Sequence, residues 1–181
     1  MSTTAQPPAT EADLLQMPKD GNKYELVDGS IVMSPAGGRH GEIAMLLGSL
    51  IVAFVRRHKL GKVFDSSTGF RLPTGNTRSP DVSFVSHGRF SRDETPKGFV
   101  PLAPDLAIEI LSPDDSPRQV MDKVGEYLQA GVKLVWVVDP ETRTAVAYRS
   151  LTRAHEIALD GALDGEDVLP GFRCPLSELF S

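Results

Sequence analysis

One cysteine, Cys174, in 181 residues has no partner for an internal disulfide and cannot by itself build a thiolate metal site. The four histidines, His40, His58, His87 and His155, show neither HxH nor HExxH spacing, which argues against zinc. Also missing are the GxSxG turn of a serine nucleophile and any Walker or dinucleotide glycine pattern. No apolar run approaches the roughly 20 residues of a bilayer span. Residues 1–11 hold neither a basic patch nor an apolar stretch of the kind a secretory signal needs, so a cytoplasmic protein is expected. Positive charge is not in excess: 19 Lys and Arg against 24 Asp and Glu leave a net charge of −5, with a pI near 5.4. This argues against a general, salt-driven nucleic-acid binder. Carboxylates clustered to hold cations also lower the formal charge, and a bound metal restores positive charge where a phosphate would sit.

What is present suits one globular domain, with 40% hydrophobic and 24% charged residues. Residues 1–10 are small, polar and proline-containing and read as a disordered tail; residues 11–181 read as a single domain. Asp28-Gly29 between two short apolar runs is a hairpin signal. From His40 to His58, Ile43, Leu46, Leu47, Leu50, Ile51, Phe54 and Val55 recur at helical spacing. Ser116-Pro117-Arg118-Gln119 is a capping box with proline at the first helical position, opening a helix that stops at Gly131. Strands are expected at 62–64, 69–72, 81–85, 105–111 and 134–138, with weaker ones at 144–149 and 155–159. Ser86 to Pro104 reads as a long surface loop.

Three acids lie inside strand patterns, where acids are depleted. Glu25 sits between Tyr24 and Leu26, Asp81 opens the run Val82 to Val85, and Glu109 is flanked by Ile108 and Ile110. A charge in such a place costs several kcal/mol unless it is paired or bound to metal. Each acid has a plain alternative: a solvent-facing hairpin residue, a strand start, or a carboxylate paired with Arg71 or Arg78. Lys123 shares the face of Val120 and Tyr127 on the helix after the Glu109 strand, so it either snorkels to solvent or reaches the acids. Hard oxygen donors gathered at one point suit Mg²⁺ or Mn²⁺. Such an ion with a nearby lysine points to phosphodiester hydrolysis. His40 beside Gly37-Gly38 reads as a loop histidine rather than a phosphate or site contact.

The ordered set Tyr24-Glu25-Leu26-Val27-Asp28-Gly29, Ser79-Pro80-Asp81-Val82, Ala107-Ile108-Glu109-Ile110-Leu111-Ser112-Pro113, Lys123 with Tyr127 to Val132, Val135-Trp136-Val137-Val138-Asp139-Pro140 and Leu169-Pro170-Gly171-Phe172 resembles the Uma2 family. That family is a branch of the restriction endonuclease-like, PD-(D/E)XK superfamily. The resemblance implies an α/β fold, a mixed sheet flanked by helices, with a restriction endonuclease-like core and an N-terminal β-hairpin. It implies a metal-dependent endonuclease acting on DNA with Mg²⁺ or Mn²⁺. Asp81 and Glu109 would hold the metal with the backbone carbonyl of Ile110, Glu25 would be a further acid of the site, and Lys123 the catalytic lysine. The usual motif puts lysine two residues after the second acid, on the same strand face; here Leu111 fills that slot and Lys123 would act from the helix. The competing expectation is a catalytically inactive nucleic-acid or protein binding module on the same fold. Phosphate contacts are expected from Arg56, Arg57 and Lys59, or from Arg89, Arg92 and Lys97. A homodimer is expected, paired through the strand at Thr144 to Arg149.

Overall fold

The computed structural model describes residues 7–20, 22–34, 37–90 and 95–181. A single turn of helix, α1 (Glu11–Leu14), is capped by Thr10 with Asp13 reaching back to it. Of the expected tail, residues 1–6 lie outside the described residues, whereas the Ala9 N–H donates to the Gly29 carbonyl at 2.7 Å. β1 (Lys23–Val27) and β2 (Ser30–Ser34) form the hairpin, and both Asp28 (φ 48°) and Gly29 (φ 72°) take the positive φ its two-residue turn requires. Two short strands, β4 (Phe70–Arg71) and β5 (Thr77–Arg78), complete a four-stranded sheet in the order β2-β1-β5-β4.

The main sheet has six strands. They are β3 (Gly61–Asp65), β6 (Val82–Ser86), β7 (Leu106–Ile110), β8 (Leu134–Asp139), β9 (Thr144–Ser150) and β10 (Arg153–Ile157), ordered β10-β9-β8-β7-β6-β3. β7 and β8 are parallel and the other pairs antiparallel. The parallel pair needs a crossover, which α3 (Pro117–Gln129) supplies.

Strand alternation divides the chemistry between the two faces of this sheet. On one face, Ile43, Leu47, Ile51 and Val55 of α2 (Gly38–His58) pack with Val82, Phe84, Leu106, Ile108, Ile110 and Trp136. The end of the chain closes over the same core: β11 (Ala162–Asp164), β12 (Arg173–Pro175) and a 3₁₀ turn at Leu176–Phe180 contribute Leu163, Cys174, Leu176 and Leu179. On the other face, Val124 and Tyr127 of α3 meet Ala107, Val135 and Val137. Glu109 shares the parity of Ala107, so it points towards α3.

Two expectations, on the dimer edge and the loop, are corrected. The segment 144–149 cannot be a free dimer edge, because β9 is hydrogen-bonded to β8 on one side and β10 on the other. Ser86 to Pro104 is not simply a surface loop: Phe90, Val100 and Ala103 are buried, and Val100 bridges to Phe70. α2 is long and apolar enough, by length and composition alone, to cross a membrane, although in this fold its Ile43–Val55 stripe packs on the sheet. Leu47 is fully buried while Met45 is 74% exposed. Leu47→Ala is therefore expected to cost about 2–5 kcal/mol and Met45→Ala less than about 0.5 kcal/mol, read by urea denaturation.

Candidate active site

Carried one residue further, the pairing of Val82 with Ile108 sets Asp81 beside Glu109, and the Asp81 N–H donates to the Ile108 carbonyl at 2.9 Å. Glu109 faces the α3 side of the sheet, whereas Asp81, just before β6, sits at the strand end beside the start of α2. Asp81 is 4% exposed and Glu109 is 7% exposed. Asp81 Oδ2 accepts from the Ile110 N–H at 2.8 Å and lies 2.9 Å from His40 Nε2, while Asp81 Oδ1 accepts from Lys23 Nζ at 2.9 Å. Glu109 Oε2 accepts from Lys123 Nζ at 3.1 Å and Oε1 from the Tyr127 hydroxyl at 2.6 Å. The lysine therefore does not snorkel away: α3 carries it, one turn from Tyr127, onto the central strand.

Glu25 closes the cluster from β1. Its Oε1 accepts from the Ser79 N–H at 2.7 Å, and its Oε2 lies 3.3 Å from Arg78 NH1 and 3.6 Å from Lys123 Nζ. Arg78 also pairs with Glu126 of α3 at 2.6 Å. The pairing expected for an arginine is thus realised by Arg78, whereas Arg71 lies elsewhere, bonded to Glu11. All four anticipated residues, Glu25, Asp81, Glu109 and Lys123, are brought together. Glu25 is held by Ser79 and Arg78 and does not line the small cavity, of about 60 Å³, that Asp81, Glu109, Ile110 and Lys123 share.

Lys23 and His40 were not singled out for the site from the sequence. Lys23 opens a strand like many surface lysines, and His40 lies in the first turn of α2, remote in sequence from Asp81. A signal was nonetheless present in the position of His40, beside Gly37-Gly38 at a helix start. Both side chains also line a larger neighbouring cavity of about 630 Å³ between α2 and β3, as does Asp81.

Burial and charge oppose each other throughout the cluster. Burial pushes Asp81 up, but the His40 hydrogen bond, Lys23 and the Ile110 N–H overcome it and hold the carboxyl far below its usual range. Glu25 also ends low, because Lys123, Lys23 and Arg78 outweigh its desolvation. For Glu109 burial prevails over Lys123 and Lys23, with Asp81 and Glu25 adding repulsion, and its pKa is raised. Lys123 is raised despite burial by Glu109, Glu25 and Asp81. The hydrogen bond to Asp81 raises His40 against its own desolvation.

Among the described residues no three His, Cys, Asp or Glu side chains are gathered closely enough to chelate a metal ion. A divalent ion would therefore rest on Asp81 and Glu109, with water filling the remaining positions, as Mg²⁺ commonly keeps several. The donors fit that role: two hard carboxylates, one just before β6 and one on β7, line one cavity, and each already carries an ammonium where a cation would bind.

The expected phosphate-binding clusters fare differently. Arg56, Arg57 and Lys59 are exposed at the far end of α2, about 25 Å along the helix from His40. Arg89 is committed to Asp105 (3.2 Å) and the Ala103 carbonyl (2.9 Å), Lys97 is exposed, and Arg92 lies outside the described residues.

A family model, "Uma2: Putative restriction endonuclease", matches residues 11–177. No curated protein matches the chain. Among solved structures it is similar to the crystal structure of "a putative nuclease belonging to DUF820" from Anabaena variabilis, at 25% identity and a TM-score of 0.82, over 96% of this chain and 98% of that one.

The His40–Asp81 bond yields a pH prediction for the metal-free protein. His40 should titrate above its ordinary 6.5, and Asp81→Asn should return it towards that value, followed by histidine NMR. The stability it contributes is fully present below 6.5 and lost as pH rises through the raised folded value. Wild type should therefore lose stability over that window relative to His40→Gln, and an identical pH profile in the two proteins would contradict the assignment.

Proposed function

This chain belongs to the Uma2 family of restriction endonuclease-like proteins, and on that premise we propose that it is a Mg²⁺- or Mn²⁺-dependent endonuclease hydrolysing phosphodiester bonds in DNA. The observation that carries the reading is the pair Asp81, just before β6, and Glu109 of β7 lining one cavity, with Lys123 Nζ 3.1 Å from Glu109.

Asp81 and Glu109 would hold the ion, with the Ile110 carbonyl at the same strand end. A divalent ion bound there supplies Lewis-acid polarisation of the phosphoryl oxygen and a bound water of lowered pKa. The chain's own groups do the positioning. Ile110 and His40 fix the Asp81 carboxylate through Oδ2, leaving Oδ1 for the exchangeable partner now filled by Lys23. Tyr127 fixes Glu109 through Oε1 in the same way, with Lys123 on Oε2. Glu25 holds Lys123 from the other side, so the ammonium stays protonated and close to where negative charge would develop. Such preorganised charge favours the transition state over the ground state.

One observation favours the rival of an inactive binding module: each of the three acids is already paired with a cation of the chain. Plasmid cleavage separates the two readings. With Mn²⁺, wild type should nick or linearise supercoiled DNA, and Asp81→Ala should abolish this. Lys123→Met should lower cleavage by about 100-fold or more yet keep the Mn²⁺-induced rise in melting temperature, since an ammonium is not a metal ligand. Lys123→Arg should rescue poorly, because a planar guanidinium directs its donors differently. Wild type that binds Mn²⁺ and DNA but never cuts would favour the binding module. Two copies about a two-fold axis would cut both strands readily; light scattering showing only monomer at high concentration would remove that arrangement.

A further inference from the structure

We propose that Lys23 is a phosphate-binding residue of the site: its ammonium stands in for the divalent ion in the metal-free protein, and moves to the substrate phosphodiester when the ion arrives. The inference rests on the nuclease reading above.

Three observations carry it. First, Lys23 Nζ lies 2.9 Å from Asp81 Oδ1, the carboxylate oxygen left over once Ile110 and His40 have taken Oδ2. The ammonium and a divalent ion would compete for that oxygen, so they exchange rather than coexist on it. Second, Lys23 lines both the small cavity holding Asp81 and Glu109 and the large one between α2 and β3, so it stands where the two meet. Its side chain is 14% exposed, and a four-carbon stem carries the ammonium from one cavity to the other without backbone movement.

Third, the charge balance asks for an anion. The linked network sets four acids, Glu25, Asp81, Glu109 and Glu126, against Lys23, Lys123 and Arg78. With these ionised, and at a pH where His40 has lost its proton, one negative charge is left over. A divalent ion converts that to one positive charge, which a phosphodiester then neutralises. Without Lys23 the loaded site would carry no net charge to favour an anion. Lys123 is poorly suited to this role, because it is held between Glu109 and Glu25, whereas Lys23 loses its partner oxygen to the ion.

The test asks for effects of opposite sign from one substitution. Mn²⁺ affinity is measured by titration calorimetry, and binding of a fluorescein-labelled DNA duplex by anisotropy in Ca²⁺ over a range of salt, with gels confirming intact DNA. Lys23→Met, with Lys23→Gln as a second variant should the first fold poorly, is expected to bind Mn²⁺ about fivefold more tightly, since a competing ammonium is gone. The same variants should bind DNA more weakly, with a salt slope lower by about 0.9, one phosphate contact. Lys23→Arg should keep the wild-type slope. A lysine that only paired with Asp81 would give the same gain in Mn²⁺ affinity but leave DNA binding and its salt slope unchanged. If wild type binds Mn²⁺ but neither variant binds it more tightly, or the salt slope is unchanged, the role of Lys23 is overturned while the nuclease reading stands. Wild type that takes up no divalent ion at all would instead defeat the nuclease reading, and this inference with it.

Discussion

One ammonium shared by two buried carboxylates couples the parts of this molecule that meet at the site. Lys123 reaches Glu109 of β7 at 3.1 Å and Glu25 of β1 at 3.6 Å from its place on α3. The main sheet, the hairpin and the crossover helix are thus tied by charge at one point. Left alone, an ionised Glu109 between Ile108 and Ile110 would face a desolvation cost of several kcal/mol. Arg78 repeats the device one strand away, joining Glu25 of β1 to Glu126 of α3.

The two faces of β7 show what this requires of the fold. Leu106, Ile108 and Ile110 turn to α2 and build an apolar core, where burial is favourable without any pairing condition. Ala107 and Glu109 turn to α3, where the capping box of Ser116 and Gln119 sets the start of the helix. That start determines which turn presents Lys123 and Tyr127 to the strand. The hydrophobic face supplies stability, and the opposite face can then hold paired charges that cost stability, the arrangement that the proposed function uses for a cation and a phosphate.

Lys23 and His40 extend the same logic to Asp81. Each of its oxygens has a donor from a different element: β7 and α2 for one, β1 for the other. An acid held from three directions keeps its geometry when one donor is replaced, which is what the proposed ion would require of it. His40 supplies this support from the first turn of α2, the same helix whose middle turns hold the apolar core.

Local sequence by itself determined much of this. Asp28-Gly29 specified the hairpin turn, Ser116 to Gln119 the start of α3, the periodic run in α2 its buried stripe, and the ordered acid motifs the family and the candidate residues. These features depend on neighbours within a few positions, where φ/ψ preference, capping and periodicity operate. Only the tertiary structure decided that Arg78 rather than Arg71 pairs with Glu25, that β9 is an inner strand, and that Lys23 and His40 join Asp81. Those contacts span 53, 58 and 41 residues for Arg78–Glu25, Lys23–Asp81 and His40–Asp81, and strand order in the sheet is likewise set by packing between distant segments. Charge pairing of this kind depends on distance in space and on the exclusion of water, neither of which is defined until the sheet has closed and the helices have packed against it.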